Sequence, residues 1–168
     1  FLPFLPPPFL FSLLPLELSE CIRPTEEIQV EIVTNGIVKF VHNGSGNVET
    51  LGSIKSDDFK LVLNGSGDLS FKIKTDDLEV QSSGSGDIML SGEANDLEVD
   101  ADGSGDVNTL GLKANAVDGA NGGSGTLSIF AQDEMNLSLS GSGDIRHSGS
   151  PQNSTISNTG SGTVVLID

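Results

Sequence analysis

The chain contains no Trp, no Tyr and a single Cys among 168 residues. Without Trp and Tyr it lacks the aromatic platforms on which sugars and bases stack. One thiol, Cys21, allows no internal disulfide, so cysteine use leaves the redox compartment open. Cations are scarce: 8 Lys and Arg stand against 24 Asp and Glu, a net charge of −16. That balance argues against nucleic acid, whose phosphates must be neutralised by Lys and Arg. It argues equally against an anionic membrane surface. The shortage is uneven. From Asp76 to Asp106 there are ten acids and no cation, and after Lys113 the only cation is Arg146. Such acidity means solubility and self-repulsion rather than a particular fold or activity.

What is abundant is glycine, 21 residues of it. Gly-Ser-Gly occurs seven times, beginning at Gly44, Gly65, Gly84, Gly103, Gly123, Gly141 and Gly160, in steps of 21, 19, 19, 20, 18 and 19 residues. A fixed period near twenty is the mark of a solenoid, in which each repeat forms one coil and neighbouring coils bury a shared core. Aligned on the first Gly, three apolar columns emerge. Six residues before it stand Val38, Phe59, Leu78, Leu97, Val117, Met135 and Ser154. Four before it stand Phe40, Leu61, Val80, Val99, Gly119, Leu137 and Ile156; four after it stand Val48, Leu69, Ile88, Val107, Leu127, Ile145 and Val164.

Within a coil the apolar spacing is two, which predicts half-buried strands, not helices. Each coil therefore reads as a strand, a Gly-Ser-Gly corner, a second strand and a return loop. Ser91–Asp96 carries the turn chemistry of such a loop. Gly in the corner supplies positive φ or close approach of neighbouring backbones. Strand alternation carried through the corner turns the Ser outward; a sharp bend would reverse it. The expected fold is all-β: a single parallel β-helix, or β-solenoid, of about seven coils over residues 26–168. At about 4.8 Å per coil it spans on the order of 35 Å.

Residues 1–25 are a different material, apolar with five prolines before Glu20. Proline at this density prevents a continuous helix, so the segment makes a poor transmembrane span. A secretory signal would carry an initial Met and a basic region, both missing here. A truncated signal, an artefact and a Pro-rich leader or cap are the readings that fit. Cys21 is the candidate for a lipid anchor, although Glu20 sits where a lipoprotein has a small residue.

Leu78-Glu79-Val80 followed by Ser83-Gly-Ser-Gly-Asp-Ile88, with the variants at Asn64–Leu69, Asp102–Val107 and Ser140–Ile145, resembles the bacterial "putative auto-transporter adhesin, head GIN domain" family. The likeness spans roughly residues 26–168. It implies a right-handed parallel β-helix in an exported bacterial protein, often with a signal or lipoprotein leader, and no established catalytic residue. The sequence departs from the pattern where the Asp is replaced by Asn47, Thr126 and Thr163.

The best candidate site is the column three after the first Gly: Asn47, Asp68, Asp87, Asp106, Thr126, Asp144 and Thr163. Stacked carboxylates about 5 Å apart repel by about 0.8 kcal/mol per pair even in water. Something must offset this. Either the carboxylates accept backbone N–H groups at the turn, or Asp68, Asp87 and Asp106 hold a hard cation such as Ca²⁺. Five before the Gly, an outward column runs Lys39, Lys60, Glu79, Glu98, Asp118, Asn136 and Thr155, in which Lys60 and Glu79 should pair. His42 and His147 fall in the first and sixth coils and converge with no nucleophile, which argues against catalysis.

The expected function is thus a non-catalytic, extracytoplasmic, adhesin-like structural or binding module for a surface or extracellular ligand. A Ca²⁺-dependent binding protein and a polysaccharide-active β-helix enzyme are the alternatives. Weak self-association through the C-terminal coil is expected, because a final apolar strand invites edge pairing.

Overall fold

The computed structural model describes residues 31–34 and 36–167. The leader expected over residues 1–25 and the lipid anchor expected at Cys21 lie outside them. Contacts divide the chain into Phe1–Val33 and Thr34–Asp168, and the architecture below is that of the second unit.

The described residues form ten strands: β1 (Lys39–His42), β2 (Val48–Lys55), β3 (Asp58–Leu63), β4 (Leu69–Ser82), β5 (Ile88–Ala101), β6 (Val107–Asn121), β7 (Leu127–Leu139), β8 (Ile145–Gly149), β9 (Asn153–Asn158) and β10 (Val164–Leu166). Every pairing is parallel. The main path runs β1-β3-β4-β5-β6-β7-β8-β10, with β2 also on β4 and β9 also on β7. No described residue is helical, so among the described residues no helix is long and apolar enough to cross a membrane. The chain is a β-solenoid of about seven turns, as the repeat predicts.

The register follows the columns. Leu61 pairs with Val80 and Val80 with Val99, all three fully buried. Leu69, Ile88, Val107, Leu127 and Ile145 form the second wall, each at most 1% exposed. Gly119 interrupts its column, but the space is filled: a Cβ there would touch the Leu137 and Leu127 methyls at 3.0 and 3.4 Å. The unequal steps become bulges. The 20-residue fourth step puts one extra residue between Asn108 and Gly111 opposite the interval Met89–Ser91, shifting the ladder there.

The return loop is a correction. β5 runs unbroken through Ser91–Asp96, paired to β4 on one side and β6 on the other. Turn-forming residues are outvoted by a ladder that satisfies their backbone groups on both sides. The bend falls at Gly92, where φ is +122° and a Cβ would collide with the Ile73 carbonyl oxygen.

The corner glycines have a different reason. None has positive φ; among the described residues only Gly92 and Gly149 do. They permit close approach instead. A Cβ on Gly84 would strike the Gly65 carbonyl oxygen, the same oxygen that accepts the Ser85 N–H at 3.1 Å. The backbone ladder thus continues around the corner, and a side chain would force the coils apart. The seven Ser are exposed, as alternation predicts.

Candidate functional site

Two outward surfaces carry chemistry. The first is the corner column. Asp87 N–H donates to Asp68 Oδ1 at 3.0 Å, Asp106 N–H to Asp87 Oδ1 at 2.8 Å, and Thr126 N–H to Asp106 Oδ1 at 2.7 Å. Asn47 serves Asp68 in the same way at 2.9 Å. Asp144 accepts both the N–H and the hydroxyl of Thr163 at 2.8 Å, and these bonds hold its carboxyl below the usual range. One oxygen of each of Asp68, Asp87 and Asp106 is therefore occupied by the next coil. Among the described residues no three His, Cys, Asp or Glu side chains cluster as a metal site would require. The column is explained by its own geometry: a side-chain acceptor takes the N–H that leaves the corner.

A related device went unread in the sequence. Asn121 is 1% exposed, two residues before Gly123. Its amide donates to the carbonyls of Gly125 and Asp144 at 2.9 and 3.0 Å and accepts the Gly123 N–H at 3.1 Å. The exposed Asn158 repeats two of these bonds, donating to the Gly162 carbonyl and accepting the Gly160 N–H, each at 3.0 Å. An Asn at an inward position beside a glycine corner was the available signal.

The second surface is the strand face before the corner. Lys60 Nζ lies 2.6 Å from Glu79 Oε1, the pair expected from the sequence. The register then stacks Glu79 on Glu98 and Glu98 on Asp118. Two residues earlier a column not singled out in the sequence runs Asp58, Asp77, Asp96, with Glu134 two coils beyond. It is visible in the same alignment, seven before the Gly. Desolvation, then the Asp58 and Asp96 charges, push the Asp77 carboxyl upward. These columns line an open groove of about 640 Å³ that contains seven carboxylates and, as its one cation, Lys60. Its floor carries Phe59, Leu78, Leu97 and Val117.

A further groove carries Lys55, Lys74 and Lys113 against Asp57, Asp76 and Glu93 and is balanced in charge. Lys74 Nζ lies 2.7 Å from Glu93 Oε2. Beside it Asn115 donates to Asn95, and Asn95 to Asp76, at 3.1 and 2.8 Å. Each groove holds one ion pair, but charge is balanced in this one, whereas six acids of the first groove are left without a cation.

The histidines do not meet. His42 and His147 take inward positions in the first and sixth coils, each with one ring nitrogen buried and without a hydrogen-bond partner among the described residues.

The family model described as "Putative auto-transporter adhesin, head GIN domain" matches residues 13–151. The chain belongs to that family. The match begins inside the segment read from sequence as a leader. Among solved structures, a putative adhesin from Bacteroides fragilis is 27% identical, with a TM-score of 0.84, over 89% of this chain and 69% of that one. No curated protein sequence matches. Together with the fold, these likenesses make the chain an adhesin-like β-solenoid.

Proposed function

We propose that the chain is a non-catalytic, exported adhesin-like module that contacts an extracellular partner through the acidic groove face. The observation that carries this reading is the excess of carboxylate along one continuous sheet face, seven acids to one Lys, of which only Glu79 is paired. Such a face attracts cationic groups over a distance and repels acidic ones. Its shallow, open form suits an extended surface better than an enclosed small molecule. Family membership supports export and surface location, and the separated, inward histidines support the absence of catalysis. The division into a leader, residues 1–25, and a solenoid, 26–168, belongs to this proposal, as does a lipid on Cys21. So does weak self-association through the coil of β8, β9 and β10. A following chain segment in that place would abolish it.

The test is made in the native bacterium. Protease added to intact cells should remove the protein, and deleting its gene should reduce attachment to extracellular surfaces. Protection from protease, with unchanged attachment, would overturn the reading.

A further inference from the structure

His147 lies two residues after the fully buried Ile145 and shares its inward parity on β8. Its register partners are Ile129 on β7, fully buried, and Leu166 on β10. Nδ1 of the ring is buried and has no hydrogen-bond partner among the described residues. A neutral imidazole accommodates this by keeping its proton on Nε2. An imidazolium carries a proton on both nitrogens, and a buried Nδ1–H here has no acceptor.

Among the described residues no opposite charge compensates. Arg146 on β8, Asp133 and Glu134 on β7, and Lys113 and Asp118 on β6 are all exposed. β9 and β10 carry no titratable side chain. Burial alone holds the imidazole below its ordinary range. The same residue also anchors the next coil, since its carbonyl accepts the Ile167 N–H at 2.8 Å.

We propose that protonation of His147 releases β10 from β8, so that the outermost described coil opens in acid. The sign follows from linkage. A histidine whose folded value lies below its unfolded value contributes stability that is complete above the unfolded value, near 6.5. That contribution is lost as pH falls below it. What opens is a parallel strand edge, available for pairing with another chain.

The test is amide hydrogen exchange on the full 168-residue chain, corrected for the intrinsic effect of pH. Ile167 is the reporter and Val80, in the middle of the stack, the reference. Between about pH 7.5 and about pH 5, above the carboxylate range, protection of Ile167 should fall about tenfold while Val80 holds. His147→Leu should abolish the fall, and His42→Leu should retain it. Equal protection of Ile167 at both pH values would overturn the proposal, as would an undiminished fall in His147→Leu. Should His147→Leu not fold, the ring protons of His147 decide. Their titration must share its midpoint with the loss of Ile167 protection, and separate midpoints overturn the proposal.

Discussion

Asp87 Oδ1 accepts the backbone N–H of Asp106, one coil further on, at 2.8 Å. This bond explains why an acid follows Gly-Ser-Gly without calling on a cation. The need is for an acceptor, not for a charge, and Asn47 meets it at the head of the same column. Asp87→Ala should therefore lower stability by about 1 kcal/mol in urea unfolding, while Asp87→Asn should be close to neutral. If Asn were as damaging as Ala, and Ca²⁺ stabilised only the unsubstituted chain, a cation site on Asp68, Asp87 and Asp106 would be the better explanation.

The corner glycines are required by the coil below them. A Cβ on Gly86 would collide with the Gly67 carbonyl oxygen, whereas one on Gly52 meets nothing within 4 Å among the described residues. Gly86→Ala should cost about 3 kcal/mol or more, because backbone cannot step aside as a side chain can. Gly52→Ala should leave thermal unfolding almost unchanged. Similar losses at both sites would mean that flexibility, not close approach, selects these glycines.

Val80 is fully buried between Leu61 and Val99. Val80→Asp would place a carboxylate there with no partner, at a cost of about 3 kcal/mol or more. Circular dichroism should show loss of the cooperative transition at ordinary temperature. An unchanged melting curve would remove this column from the core.

The acidic face stores repulsion. Asp77 is raised by desolvation and then by Asp58 and Asp96. A carboxyl raised in the folded state stabilises when protonated and loses that contribution as pH rises through its folded value. Asp77→Asn should therefore stabilise the chain at neutral pH, and the gain should shrink as pH falls through the raised Asp77 value. Added salt should shrink it as well. A pH-independent effect would mean that the charges of Asp58 and Asp96 are not felt.

Much of the fold was legible because it obeys two periods at once. Alternation of two marked Leu78 and Val80 as inward, and the repeat near nineteen placed Leu61, Val80 and Val99 in contact. The outward Ser and the Lys60–Glu79 pair followed from the same alignment. What escaped depends on interactions between coils that composition does not record. Ser91–Asp96 has the residues of a loop, yet strands on both sides supply partners for its backbone, so it stays paired. Gly119 leaves a gap in its column that only the side chains of Leu137 and Leu127 fill. Asn121 bridges the corner from within, which its residue type alone does not announce. The Asp58–Asp77–Asp96 column was within reach but lay one step outside the columns compared.

The acidic groove as a contact face is most directly tested by surface plasmon resonance against immobilised poly-lysine. The decisive comparison is between two triple variants of equal net charge. One neutralises the acidic groove, Asp77→Asn with Glu98→Gln and Asp118→Asn; the other neutralises the balanced groove, Asp57→Asn with Asp76→Asn and Glu93→Gln. Binding should be salt-sensitive, strongly reduced in the first and nearly retained in the second. Equal loss in both would show that net charge alone governs the attraction, and would contradict the assignment of the contact face to the groove.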